Sequence, residues 1–162
     1  MSAELLIGDP APDFSTVAVG PGYPPGGARV TLASLRGRRT VLYFYPQNDT
    51  PGCTEQACAI RDVWDKFAIQ AALFGVNNDT PEGHQRIIEK LALPFPLLSD
   101  TDNAMARAYG LWLGDGGGGD TEGGESTARS TFIIGADGRI DAVLHKIRPA
   151  EHARLLLALL NA

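Results

Sequence analysis

The 162-residue sequence contains only two cysteines, no long hydrophobic run and no concentrated positive charge. No stretch of the sequence comes close to the run of about 18 apolar residues that a membrane helix needs. The N-terminus also lacks the basic region followed by an apolar core that marks a secretory signal peptide. We therefore expect a cytoplasmic protein. The net charge of −5 at pH 7 offers no field to attract a phosphate backbone, so nucleic acid is not an expected partner.

The two cysteines, Cys53 and Cys58, lack the spacing of a zinc site or a dithiol reductase. Zinc needs four ligands with close pair spacings, whereas His84, His145 and His152 are scattered along the chain. A thioredoxin-type reductase would carry a CxxC motif. In a reducing compartment, two such cysteines suit redox chemistry or simple burial better than a permanent disulfide. No metal, haem or flavin cofactor is expected.

The remaining composition predicts one globular domain over residues 1–162. Hydrophobic residues make up 44% and charged residues 20% of the chain, as in ordinary globular proteins. A chain of this length fits a single domain with a sizeable core. One segment differs: Gly114 to Thr127 is glycine-rich, acidic and free of apolar residues, so we expect a flexible surface loop there. A lid or a partner-docking segment is the alternative for this loop.

The apolar runs and helical periodicities alternate along the chain. TVLYFYP, Thr40 to Pro46, is typical of a strand buried on both faces. Apolar residues then recur at three and four positions from Thr54 to Phe67, which predicts one amphipathic helix. A second buried strand, Ala71 to Asp79, is followed by a helix with Thr80 as its N-cap and Pro81 as its first residue.

The second half repeats this order and ends in a hairpin. FPLLSD precedes a short helix, RSTFIIGADGRIDAVLH predicts a β-hairpin, and PAEHARLLLALL predicts a final helix. DFSTVAV, near the N-terminus, is expected as an edge strand. The sequence therefore predicts an α/β protein of thioredoxin-like layout, with an N-terminal extension and a mixed sheet that helices cover on both faces.

Cys53 lies where the buried strand ends and the next helix begins. The unpaired N–H groups and the positive dipole end of that helix favour a thiolate, the nucleophilic form of cysteine. Pro46 and Pro51 restrict the loop backbone, and the Thr50 hydroxyl can donate to a thiolate or to a bound oxygen. The alternative is that Cys53 is only a small buried hydrophobic residue.

Cys58 lies five residues after Cys53 in the same predicted helix. Five helical residues rise about 7.5 Å, which exceeds the Cα separation of about 4.4–6.8 Å that a disulfide accepts. A bond between the two sulfurs therefore requires the first turns of the helix to unwind.

TPGCTEQAC, preceded by YFYP, resembles the active-site signature PxxxTxxC of the peroxiredoxins, here Pro46, Thr50 and Cys53. A second cysteine five residues later resembles the peroxiredoxin Q, or bacterioferritin comigratory protein, subfamily. GDPAPDF, the segment from GVNND to PLLSD, and RSTFIIGADGRI extend this similarity over almost the whole chain. The resemblance implies that Cys53 is the peroxidatic cysteine, that Cys58 resolves it, and that Arg129 completes the anion-stabilising site.

The resemblance also implies the reaction and its partners. Hydrogen peroxide and organic hydroperoxides would be the substrates, and thioredoxin or glutaredoxin would reduce the Cys53–Cys58 disulfide of a monomer. Tyr43 would form part of the core and of the pocket wall, beside Pro46, Thr50 and Arg129. Two alternative hypotheses assign the chain to other functional classes. It could be a thioredoxin-fold binding module or chaperone without turnover, or it could be a disulfide reductase.

Two segments depart from the family pattern. Gln47 and Asn48 occupy positions where the family usually has a lysine and an acidic residue. The segment from Gly114 to Thr127 replaces a stretch that usually carries lysine. The first change reduces charge near the pocket rim, and the second bears on partner docking more than on chemistry.

Overall fold

The structure, a computed structural model, describes residues 4–48, 50–112 and 127–161. The strands are β1 Ser15–Val19, β2 Ala28–Thr31, β3 Thr40–Phe44, β4 Ala72–Asn77, β5 Leu97–Ser99, β6 Ser130–Ile134 and β7 Ile140–His145. The α-helices are α1 Pro51–Asp62, α2 Trp64–Ala68, α3 Pro81–Leu91, α4 Ala104–Ala108 and α5 Pro149–Leu160. In the part of the chain so described, no helix has the length and apolar character needed to cross a membrane.

The strands form one seven-stranded mixed sheet in the order β2-β1-β5-β4-β3-β6-β7. The central strands β3, β4 and β5 are parallel to one another. On one side β1 pairs antiparallel with β5, and on the other side β6 pairs antiparallel with β3. The predicted mixed sheet and thioredoxin-like layout are confirmed.

The helices cover the two faces of the sheet unequally. The connections from β3 through α1 to β4, and from β4 through α3 to β5, step across the sheet in the same direction, which places both helices on one face. Ile60 of α1, Ile88 of α3 and Leu156 of α5 share one buried cluster there. The chain then reverses towards β6, so Met105 of α4 packs in the cluster on the opposite face.

The prediction of DFSTVAV as an edge strand was wrong. The strand exists as β1, but it lies between β2 and β5, and β2 is the edge. The glycine- and proline-rich segment after β1 reverses the chain, so that Ala28–Thr31 returns and pairs with β1. Four residues are too short a run for their periodicity to be recognised in the sequence.

The single helix predicted from Thr54 to Phe67 is two helices. It begins earlier, at Pro51, and Val63 leaves the helical conformation with φ −125° and ψ 26°. The apolar periodicity continues across this break because Ile60 before it and Phe67 after it contact the same core. The pattern of apolar residues therefore could not reveal the break.

The predicted glycine-rich loop lies outside the described residues, except for Thr127. Thr127 is buried and pairs with Trp112 in an isolated antiparallel bridge. Trp112 and Thr127, the described residues on either side of the undescribed stretch, therefore lie side by side shortly before β6 begins.

Candidate active site

The C-terminal end of β3 and the first turn of α1 position Cys53. All five residues of β3 are buried, and the chain leaves the sheet at Tyr45 and Pro46 before α1 begins. Thr50 has the extended conformation of an N-cap residue, which makes Cys53 the third residue of the helix. The N–H groups of this turn have no partner within the helix, so their partial positive charge lies close to the sulfur.

Arg129 contacts the sulfur from the neighbouring strand. Because β6 pairs antiparallel with β3, the start of β6 lies beside the end of β3, with Ser130 opposite Phe44. Arg129 immediately precedes β6, and its Nη2 donates a hydrogen bond to Cys53 Sγ over 3.3 Å. A guanidinium at this distance stabilises a thiolate and can donate to a developing negative charge on oxygen.

Gln56 is a site residue that sequence reasoning missed. Its side chain is 1% exposed, and its Oε1 accepts a hydrogen bond of 2.8 Å from Arg129 Nη1. Gln56 lies three residues after Cys53, so both side chains lie on the same side of α1. This spacing was the available signal. Arg129 is thus oriented by two residues of one helix.

The other predicted site residues lie close to Cys53 in the chain but do not all contact it. The Thr50 hydroxyl donates to the backbone oxygen of Gln47 over 3.4 Å, rather than to the sulfur. Pro46 is buried in the loop after β3. Tyr43 is 1% exposed and belongs to the same buried cluster as Cys53.

The two cysteines are separate thiols within one intact helix. Cys53 is 3% exposed, whereas Cys58 is partly exposed, and neither forms a disulfide. Since α1 is continuous from Pro51 to Asp62, both cysteines keep helical geometry. A bond between the two sulfurs therefore requires this part of α1 to unwind.

A buried polar pair lies on the same face of β6 as Arg129. Thr131 Oγ1 and His152 Nε2 share a hydrogen bond of 2.7 Å, and His152 of α5 is 1% exposed. The His152 ring also lies 5.7 Å from the ring of Tyr43. Burial lowers the pKa of His152 to about 4, and the charge of Arg129 acts on it in the same direction. His152 is therefore neutral at neutral pH.

We expect His152 to make the protein less stable as the pH falls from 6.5 towards 4. In this window the unfolded chain binds a proton on the histidine, whose ordinary pKa is 6.5, while the folded chain with a pKa of about 4 does not. The free energy of unfolding should fall by up to about 3 kcal/mol from this group. Urea denaturation of the protein and of His152→Gln, at several pH values, measures the difference.

The control variant is His145→Gln, because the His145 side chain is 42% exposed. It should retain the steep loss of stability in acid, whereas His152→Gln should flatten it. An identical pH dependence in the protein and His152→Gln would contradict the burial of a neutral histidine. The other buried histidine, His84, is present in all three proteins, so its contribution cancels.

The described residues contain no group of three or more histidine, cysteine, aspartate or glutamate side chains placed to hold a metal ion. The chemical groups that converge are instead one thiol, one guanidinium and the N–H groups of a helix start. On a thioredoxin-like sheet, this arrangement fits the class of oxidoreductases that use a cysteine thiolate as nucleophile.

Comparison with known proteins agrees with this class. The AhpC/TSA family matches residues 7–143. A putative peroxiredoxin bcp of Coxiella burnetii is 39% identical over 127 residues, which are 78% of this chain and 83% of that protein. The peroxiredoxin Bcp of Escherichia coli K12 is 36% identical over 154 residues, which are 94% of each chain.

A solved structure of the Xanthomonas campestris bacterioferritin comigratory protein, studied for its alkyl peroxide reduction activity, superposes with a TM-score of 0.78. It is 29% identical, and the match covers 91% of this chain and 90% of that one. The chain belongs to the AhpC/TSA family, as a thiol peroxidase similar to the Bcp and peroxiredoxin Q proteins. The expectation of a thiol peroxidase is confirmed, and the alternative of a non-catalytic binding module is rejected.

Proposed function

We propose that Cys53 is the peroxidatic cysteine, which the contact of Arg129 Nη2 with its sulfur supports most directly. The thiolate attacks the nearer oxygen of a hydroperoxide, and the O–O bond breaks. The sulfur becomes a sulfenic acid, and the second oxygen leaves with a proton as water or an alcohol. Arg129 and the N–H groups at the start of α1 stabilise the negative charge that passes from sulfur to oxygen.

Three further residues complete the proposed substrate site. The Thr50 hydroxyl, which contacts the Gln47 carbonyl weakly at 3.4 Å, rotates to donate to the bound peroxide. Pro46, which is buried, limits access of water to the sulfur. Tyr43 supports the wall behind it, and burial raises the pKa of its phenol so that it stays uncharged.

Cys58 is the proposed resolving cysteine. The first turns of α1 unwind after Cys53 is oxidised, the Cys58 thiolate attacks the sulfenic sulfur, and a disulfide forms with release of water. A dithiol protein, thioredoxin or alternatively glutaredoxin, then reduces the disulfide by exchange. Because both cysteines belong to one chain, a monomer suffices. The enzyme would protect the cytoplasm from hydrogen peroxide and organic hydroperoxides, the latter supported by the activity studied in the Xanthomonas protein.

The test is intact mass spectrometry after one equivalent of hydrogen peroxide, followed by turnover with a thioredoxin system. The protein should lose two hydrogen atoms and remain a monomer. Proteolysis should then yield one peptide with an internal disulfide between Cys53 and Cys58. Cys58→Ser should instead gain one oxygen atom at Cys53. No mass change in either protein would contradict the proposed roles, and a cross-link between two chains would contradict the monomeric mechanism.

A further inference from the structure

Asn48 lies in the loop between Pro46 and Thr50, where its side chain makes four hydrogen bonds. Its Oδ1 accepts from the hydroxyl of Tyr45 over 2.6 Å and from Nδ2 of Asn77 over 3.3 Å. Its Nδ2 lies 3.1 Å from Oδ2 of Asp79 and 3.0 Å from Nδ1 of His84. An amide has two donor hydrogens and two acceptor lone pairs, so these partners use its full capacity. These five residues form the Asn48 cluster.

The protonation state of His84 fixes the direction of these bonds. His84 Nε2 lies 2.9 Å from the backbone oxygen of Leu98, which can only accept, so Nε2 carries the hydrogen. Burial lowers the pKa of His84, which keeps the ring neutral at neutral pH. Nδ1 is therefore an acceptor and receives a hydrogen from Asn48 Nδ2. The amide group can adopt only this orientation without losing bonds.

The partners of Asn48 belong to rigid parts of the fold. Tyr45 follows β3 and is 4% exposed, Asn77 ends β4 and is 3% exposed, and His84 of α3 is fully buried. Asp79 is held in turn, because its Oδ1 accepts from the N–H of Thr80, the N-cap of α3. One side chain thus ties the loop that precedes Cys53 to two strands and one helix.

Asn48 and Ile87 both line two spaces on the α3 side of Cys53. One is a groove of about 310 Å³, which Asp79 and Arg86 also line. The other is a void of about 10 Å³, which Cys53 also lines. Asn48 therefore forms part of the wall of the space next to Cys53.

We propose that Asn48 is a positioning residue that holds the Cys53 loop in the conformation for peroxide attack and opposes the unwinding needed for disulfide formation. This inference rests on the proposed roles of Cys53 and Cys58. The two chemical steps then have opposite requirements. Attack of the Cys53 thiolate on peroxide needs the Asn48 cluster intact. Disulfide formation with Cys58 needs the loop between Pro46 and Thr50 to detach from that cluster.

The experiment compares Asn48→Ala with the unmodified protein and with Gln47→Ala, a control at the exposed neighbouring position. Rapid mixing with hydrogen peroxide measures the rate of Cys53 sulfenic acid formation and then the rate of disulfide formation. Loss of the hydrogen bonds should slow the first step about tenfold and accelerate the second about tenfold. Because the disulfide then forms faster, less Cys53 should be oxidised to sulfinic acid by excess peroxide in Asn48→Ala than in the unmodified protein. Gln47→Ala should leave both rates unchanged.

Tyr45→Phe is the second variant, which keeps the ring stacked on Tyr43 but removes the shortest bond to Asn48. It should change both rates in the same directions by a smaller factor. A merely structural role would lower the melting temperature without moving the two steps in opposite directions. If both rates fall together, if neither changes, or if Gln47→Ala behaves like Asn48→Ala, the inference is overturned.

A separate measurement distinguishes this inference from the proposed function. In Cys58→Ser protein without peroxide, iodoacetamide alkylates Cys53 only when the loop opens. Asn48→Ala should raise that alkylation rate about tenfold, whether or not Cys53 reacts with peroxide. An unchanged rate overturns the positioning role of Asn48. Absence of Cys53 sulfenic acid in Cys58→Ser refutes the proposed function instead.

Discussion

Cys53→Ser should abolish peroxide consumption with a thioredoxin system, because the hydroxyl of serine is a far weaker nucleophile than a thiolate at neutral pH. The loss should be complete within detection, and the fold should be retained, since the change replaces sulfur by a smaller atom. Turnover of hydrogen peroxide, followed with the reductant in excess, measures the effect. Circular dichroism and thermal unfolding confirm that the variant is folded.

Cys58→Ser is the matched control for that result. It should consume one equivalent of peroxide rapidly and then stop, because Cys53 still reacts but no second thiol forms the disulfide. An external small thiol should partly restore turnover by attacking the sulfenic acid. Retained turnover in Cys53→Ser would refute the peroxidatic role of Cys53. Loss of the first equivalent in Cys58→Ser would contradict a role for Cys58 in resolution alone.

Arg129→Gln should slow the oxidation of Cys53 by about 10²–10³-fold, the usual cost of removing a donor that stabilises developing charge in a transition state. The guanidinium contacts the sulfur at 3.3 Å and Gln56 at 2.8 Å, so the variant loses the positive charge together with both contacts. Stopped-flow measurement of the first oxidation step isolates this effect from recycling.

Arg148→Gln is the appropriate control for Arg129→Gln. The Arg148 side chain is 79% exposed, and its Nη2 lies 3.4 Å from Oε1 of Glu151 on the surface. Its replacement removes the same charge from the protein and should leave the oxidation rate unchanged. Equal rates in Arg129→Gln and the unmodified protein would show that the helix start alone activates Cys53.

The position of Cys53 followed from the sequence because it depends on local patterns. A continuous apolar run marked β3, Pro51 marked the first helical position, and Cys53 comes two residues later. The approach of Arg129 depends on the pairing of β6 with β3, which no local pattern encodes. Its role came only from the resemblance to the peroxiredoxins.

Other features escaped prediction for physical reasons. β2 is too short for its periodicity to stand out, and the break at Val63 leaves the apolar pattern intact. Nothing in the sequence beyond its spacing from Cys53 singles out Gln56, since polar residues of a helix usually face solvent, yet its side chain is buried and accepts a hydrogen bond from Arg129. Asn48 departs from the family pattern in the sequence, but three of its four partners, Asn77, Asp79 and His84, come from distant segments that only the structure brings together.

Cys53 and Arg129, whose side chains meet at the sulfur, are 76 positions apart in the chain. The ribosome therefore releases the cysteine well before the strand that brings its guanidinium, and β6 pairs only after that later segment has emerged. Until then the thiol lacks its contact with the guanidinium. If Arg129 assists Cys53 as proposed, the thiol reaches its full reactivity towards peroxide only after β6 has paired with β3.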